Sequence, residues 1–447
     1  MNCRRIAVLN LNDTRRDPRV RRISSTLVAQ GHTVTVCEMR QPGTSDTERL
    51  DGYELARVDA PVSFTVQDMA ALGGHSTAIG RIVHACDPRI DRGESVGRLR
   101  VKWRNGKTLL RSLLRRLRGR SKPAPCRFDD LQEILAIRSI MLLNVSLFER
   151  ARSSGAEVVY CNDLDTLVAG AMLKSECGCK LVYDAHEIYA EQFADDLRSD
   201  LWHAFYTRLE QRLLPFTDAR LTVCDSLGRF FEREYGAKPF VTVRNTPSIR
   251  LLADRMVLAR VNDPVRFVYQ GAYYPHRGLE EIVAVARRVP RARFVFRGIG
   301  SHVSELRTLV ERLGMGDRVT FEEPVSIDQL VATASANDVG LNPFIATSKN
   351  TECALPNKFF EYMMAGLAIG SSNLVEMRSL TDELGVGVLF DAGDPDDLSR
   401  ELTRFVDDPA FLQTCRQRAW DAAATRFHWE REQRHLLDHL APVLAAS

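Results

Sequence analysis

Two series of short apolar runs, each followed by a helix-length amphipathic stretch, constrain this 447-residue chain more than any other feature. Alternation of that kind builds βαβ units, and these stack into parallel sheets with helices on both faces. In the first series Arg4 to Asn10 reads as a strand, Asp17 to Gln30 as a helix closed by Gly31, and Thr33 to Glu38 as a second strand. Glu157 to Tyr160, Lys180 to Asp184 and Ala219 to Cys224 follow as strands, each with a helical pattern behind it. The rhythm breaks near Arg244-Asn245-Thr246-Pro247 and resumes after Asp263-Pro264. Strands are then predicted at Val265 to Gln270, Arg293 to Arg297, Arg318 to Glu322, Asp338 to Leu341, Leu367 to Ser371 and Val386 to Phe390. The expected organisation is an α/β domain over residues 1–245, a linker over 246–263, a second Rossmann-like domain over 264–425 and a closing amphipathic helix within 426–447. A 45% hydrophobic share supplies two cores, and 27% charged residues is ordinary for a folded, water-facing chain.

Charge is informative only locally. Of 61 Lys and Arg, eleven fall between Arg98 and Lys122, a span with no Asp or Glu, so the rest of the chain is net acidic. That span belongs to residues 61–128, which fit neither domain's rhythm and read as an insertion. Its Leu109, Leu110, Leu113, Leu114 and Leu117 share one helical face ringed by Arg111, Arg115, Arg118 and Trp103. A basic, leucine-faced segment suits an anionic membrane surface, and it equally suits a helix packed on its own domain; with few stacking aromatics, nucleic acid is not expected as a partner. The ten cysteines are scattered, without zinc-like spacing, as free thiols in a reducing compartment would be. No stretch reaches the length of a membrane span or a signal core, so a cytoplasmic protein, peripheral at the inner membrane face through residues 98–122, is the expectation.

The segment Cys353-Ala-Leu-Pro-Asn-Lys-Phe-Phe-Glu-Tyr-Met-Met-Ala-Gly366 carries the densest chemistry. Proline at the first turn of a helix leaves free amides there, and Asn357 with Lys358 makes that end an anion site fit for a diphosphate. Glu361, one turn deeper on the same face, is placed to accept hydrogen bonds from vicinal hydroxyls such as those of a ribose. A second phosphate candidate is the loop Gly271-Ala-Tyr-Tyr-Pro-His-Arg277-Gly278, where glycine permits close backbone approach and Arg277 stands at a helix start. Asp163-Leu-Asp165 invites a metal reading, but its place between strand and helix is explained by capping or by contact with an acceptor. Asp17 and Arg19 are read as shaping the start of the first helix.

Taken in order, these pieces resemble the retaining glycosyltransferases of family 4, the glycosyl transferases group 1. Asp17-Pro-Arg-Val20 with Gly31-His32 resembles that family's first βαβ unit, Val182-Tyr-Asp-Ala-His-Glu187 its mid-domain strand end, and Gly271 with Arg277-Gly278 its glycine loop. Phe296-Arg-Gly-Ile-Gly300 and Leu355-Pro-Asn-Lys-Phe-Phe-Glu-Tyr362 resemble its second-domain strand end and donor helix. The resemblance implies the GT-B fold: two facing Rossmann-like domains, a deep cleft between them and a last helix crossing back to the first domain. It implies a nucleoside-diphosphate sugar donor on the second domain and a glycan or lipid-linked acceptor on the first, with no cofactor and no metal. Arg277 and Lys358 would hold the diphosphate, with Arg297 beside them, Glu361 the ribose, and the loop at Pro324 and Val325 the base. His186 would face the donor sugar from across the cleft. The family pattern has two glutamates with seven residues between them, yet the position so spaced before Glu361 is Cys353; Glu352 is read as a substitute, with amides near Ala354 and Leu355 as the other option. The rival readings are a non-catalytic GT-B binding protein, suggested by that missing glutamate, and a nucleotide-sugar epimerase.

Overall fold

The computed structural model describes residues 3–59, 128–192 and 200–445. The basic run of residues 98–122, and with it the insertion's leucine face, lies outside the described residues. In the first domain the strands are β1 (Arg5–Asn10), β2 (Thr33–Met39), β3 (Thr47–Leu50), β4 (Tyr53–Val58), β5 (Val158–Asn162), β6 (Lys180–Ala185), β7 (Ala219–Thr222) and β8 (Val241–Thr242). They form one sheet in the order β3-β4-β2-β1-β5-β6-β7-β8, parallel except for β3 against β4. The second domain has β9 (Val265–Gln270), β10 (Ala292–Arg297), β11 (Val319–Glu322), β12 (Val339–Asn342), β13 (Ala368–Ser372) and β14 (Gly387–Phe390). Their order is β11-β10-β9-β12-β13-β14, parallel throughout.

Central strands are covered on both sides, which is why β5 is apolar or buried at every position rather than alternating. The hairpin β3–β4 and the 26-residue helix Phe128–Ser153 have no counterpart in the sequence reading. Both strand orders reverse beside the first strand of their domain, and ligands in such sheets sit outside the carboxyl ends of the strands at that reversal. In the second sheet the reversal falls between β9 and β12, the strands that precede the Gly271 loop and Pro343-Phe344.

Backbones approach one another closely there. Gly278 has φ 71° and caps the helix Leu279–Val285, and a Cβ on it would come within 1.6 Å of the Pro343 carbonyl oxygen. Only glycine satisfies both conditions.

The domains are joined by two crossings of the chain. The outgoing one passes Asn245 to Ile249; the returning one enters the helix Trp429–Ala445, whose Trp429, Leu436, Leu440, Val443 and Leu444 pack on β1, β2 and their helix in the first domain. The crossings are bonded to each other: Trp429 N donates to Pro247 O (2.8 Å), Ser248 Oγ to Glu430 Oε1 (2.5 Å) and Ile249 N to Glu430 Oε2 (2.8 Å).

Candidate functional site: a cleft with one paired and one unpaired wall

On the first-domain wall, charges are matched. Arg19, on the helix Pro18–Ala29, makes a bidentate pair with Asp184 at the end of β6, with Nε–Oδ2 2.7 Å and Nη2–Oδ1 2.8 Å. The two side chains are 1% and 0% exposed, and Tyr160 adds a hydroxyl bond to Asp184 Oδ2 at 2.5 Å. Burial opposes ionisation of Asp184, but Arg19 and then His186 outweigh it and hold the carboxyl well below the usual range. Arg19 thus does more than start a helix: it is a structural ion pair. Asp17 does cap that helix, accepting from the amides of Arg19 and Val20.

His186 follows β6 and lies between two carboxylates. Its Nδ1 is 3.2 Å from Asp163 Oδ2, and its Nε2 is 3.1 Å from Asp184 Oδ2, without hydrogen-bond alignment at the latter. Burial favours the neutral ring, yet Asp163 and Asp184 together lift the imidazole to about 10, so it is a cation at neutral pH. Asp163 was expected to cap the helix Leu164–Cys177 through its side chain. It occupies the cap position but makes no such bond; its carboxylate accepts from the His186 amide at 2.8 Å instead. The residue pays for that turn with φ 67°, a conformation costly for any side chain but glycine's.

The second-domain wall differs. Lys358 Nζ sits 3.8 Å from the Tyr269 ring centroid and 5.4 Å from that of Phe344, while the Arg277 guanidinium lies 4.8 Å from Phe344. Neither cation has a carboxylate within 4 Å among the described residues. Burial, and then repulsion by Arg277, push the Lys358 amine well below its ordinary range. Gly271, φ 141°, makes room for it: a Cβ there would stand 2.9 Å from Nζ. The helix Asn357–Met364 begins beside them after Pro356, with no side-chain cap. The amides of Leu355, Asn357 and Lys358 have no acceptor among the described residues, whereas that of Ala354 is spent on Thr351 O. Burial raises the Glu361 carboxyl, and Arg22, from the first domain, and then Lys358 pull the other way.

The structure thus brings Gly271, Arg277, Gly278, Asn357, Lys358 and Glu361 to one end of the second sheet, and His186 to the facing wall. Two expected residues have side chains committed elsewhere, although Arg297 sits at the same sheet end with its carbonyl accepting from the Gly271 amide (3.0 Å). Arg297 is 4% exposed and committed, its Nε and Nη2 to Glu322 Oε2 (2.9 and 2.6 Å) and its Nη1 to Gln270 Oε1 (2.9 Å). Parallel register sets Arg297 beside both partners. Glu352 ends the short helix Lys349–Glu352 and pairs with the solvent-exposed Lys349 Nζ at 2.5 Å. Cys353 is buried, and its carbonyl accepts from Cys224 Sγ at 3.4 Å. Pro324 and Val325 lie in the solvent-facing loop after β11.

Three cleft residues escaped the sequence reading. Asn350 donates to Glu187 Oε2 (3.0 Å) and accepts from the Ile188 amide (2.9 Å), clasping one domain to the other. Asn245 donates to Asn357 Oδ1 (2.9 Å) across the hinge, and Arg22 donates to Asn245 Oδ1. None carries a local motif. Concavities elsewhere are less apt: the hollow lined by Arg288, Arg400 and Arg404 has its guanidinium groups already paired with Asp396, Asp397 and Glu401.

Residues 253–422 match the family model described as glycosyl transferases group 1. The match covers the wall with the unpaired cations. No curated protein matches the sequence. Among solved structures, a sucrose-phosphate synthase from Thermosynechococcus elongatus aligns over 99% of this chain and 100% of its own, with TM-score 0.72 and 15% identity. An Anabaena protein solved with UDP-glucose aligns over 98% of this chain and 100% of its own, with TM-score 0.60 and 15% identity. A trehalose-6-phosphate structure from E. coli, bound with UDP-2-fluoro glucose, covers 97% and 98% with TM-score 0.60 and 11% identity. At such identities the likeness establishes the fold, the two-domain GT-B architecture, for the whole chain.

Proposed function

We propose that the protein is a glycosyltransferase that moves a sugar from a nucleoside-diphosphate sugar to a hydroxyl of a glycan or lipid-linked acceptor, with retention at the anomeric carbon. The observation that carries this reading is the pair of carboxylate-free cations, Arg277 and Lys358, packed on aromatic rings at the uncapped start of the Asn357–Met364 helix. Half-buried basic groups without a carboxylate partner are costly, and a diphosphate supplies the missing charge.

In the proposed reaction the acceptor oxygen bonds to the anomeric carbon as the bond from that carbon to the β-phosphate oxygen breaks. The acceptor's proton passes to the departing diphosphate on the same face. Arg277, Lys358 and the free amides stabilise the growing negative charge, the role a divalent ion fills elsewhere, so turnover survives chelator. His186, a cation held by two carboxylates, contributes a fixed charge and donor rather than a base.

Calorimetry with a panel of nucleoside diphosphates tests the binding step, and transfer from the matching nucleotide sugars tests the chemistry; absence of diphosphate binding across the panel would defeat the reading. Burial of Cys353 and the outward pairing of Glu352 favour one second reading, a GT-B protein that binds nucleotide or glycan without turnover. Binding with neither transfer nor donor hydrolysis would select it, and an altered sugar appearing without acceptor would point to an epimerase.

Among the described residues no helix is long and apolar enough to cross a membrane. Peripheral contact through residues 98–122 belongs to the same proposal, and loss of liposome flotation on neutralising that run is its expected mark.

A further inference from the structure

Three arginines follow one another on the first helix, and their fates differ. Arg19 is spent on Asp184, and Arg21 on Asp51 at 3.1 Å. Arg22 has no carboxylate within 4 Å among the described residues. Among the described residues its guanidinium's one hydrogen bond goes to Asn245 Oδ1 at the outgoing crossing, and Asn245 in turn donates to Asn357, the first residue of the uncapped helix and the neighbour of Lys358. A guanidinium has five N–H donors, so most of those on Arg22 remain unspent. Burial, helped by repulsion from Arg19 and Arg21, lowers the guanidinium's pKa to about 10, with Glu361 of the second domain as the foremost opposing charge.

We propose that Arg22 is a nucleotide-binding residue supplied by the first domain, which donates to a phosphate oxygen of the nucleotide and completes, with Arg277 and Lys358, a three-cation cradle spanning the cleft. This rests on the nucleotide-sugar reading. The Arg22–Asn245–Asn357 chain ties that guanidinium to the crossing and the donor helix at once, so the cradle is complete only when the two walls are in the arrangement seen here. The fork geometry of arginine suits two phosphate oxygens, which a lysine's single ammonium cannot grip in the same way.

The test is calorimetry on the full chain with the diphosphate that the wild type binds best from UDP, GDP, ADP and TDP, together with its mononucleotide and nucleoside. Arg22→Gln keeps a donor for Asn245 and removes the charge. The expected result is at least a tenfold loss of diphosphate affinity, no change for the nucleoside, and a shallower dependence of diphosphate affinity on salt. Equal losses for diphosphate and nucleoside, or none for the diphosphate, would overturn the proposal while leaving the wider reading intact. Failure of the wild type to bind any of the four overturns both. Should Arg22→Gln melt below the wild type without ligand, Arg22→Lys decides: a diphosphate affinity between those of Arg22→Gln and the wild type supports the proposal, and a loss matching that of Arg22→Gln overturns it.

Discussion

The two walls of the cleft use charge in opposite ways. The first-domain wall closes its charges on itself, Arg19 on Asp184 and His186 between Asp184 and Asp163. The second-domain wall leaves Arg277 and Lys358 facing aromatic rings. A charge that is matched inside the fold fixes geometry, and one that is left unmatched and half-buried on the cleft wall holds a place for something else. Stability should therefore depend on the first wall and ligand affinity on the second.

The sharpest way to break that contrast is Arg19→Met. It strands Asp184 in the core, and truncating one member of a buried pair costs about 3–5 kcal/mol. Denaturant unfolding should show a loss of that order, and a loss under ~1 kcal/mol would mean the first wall is not the structural one. Next, Arg277→Ala with Lys358→Ala should weaken nucleoside-diphosphate binding about a hundredfold or more, since each removes a charge-assisted contact of about 1.5–3 kcal/mol. The melting temperature without ligand should hold or rise, because two unmatched cations have gone. A fall in stability with unchanged affinity would reverse the roles assigned to the walls.

Glu361→Ala sharpens the picture within the second wall. It should cost about tenfold in affinity for the ribonucleotide and erase the preference over the 2′-deoxynucleotide, a net hydrogen bond to a charged group being worth ~1.5–3 kcal/mol. Equal discrimination before and after substitution would remove the ribose from Glu361.

His186 offers a test by pH. Its folded-state pKa is raised, so its stabilising contribution is present in full below the ordinary histidine value of about 6.5 and fades as pH climbs towards about 10. Nitrogen-detected magnetic resonance should find no titration of this ring between pH 6 and 8; a midpoint near 6.5 would dissolve the clamp. The smallest effect belongs to Glu352→Ala, an exposed pair with Lys349, for which under ~0.5 kcal/mol in stability and no change in nucleotide affinity are expected.

The second wall was largely legible in the sequence because its chemistry is local. Proline before a helix, Lys358 and Glu361 three apart on one face, and a glycine loop behind a strand all act within a few residues of themselves. The first wall was not, because its chemistry is made by distant contacts. Arg19 and Asp184 stand 165 positions apart, and nothing near either names the other. Arg22 reads as one more charge on a solvated helix face until the hinge brings Asn245 to it. The partners of Arg297 were hidden for a related reason: the sequence shows a strand-end arginine, but only register sets Gln270 and Glu322 beside it. Asp163 looked like a cap because helix starts favour aspartate, but the His186 amide, delivered by the neighbouring strand, competed for its carboxylate and won.

The paired crossings at Pro247–Ile249 and His428–Glu430 have a mechanical consequence. Two spans of backbone lashed side by side resist twisting and sideways slip far better than one, and so act as a strap hinge rather than a swivel. Were the cleft to close, two lashed spans would leave the domains a single arc along which to swing.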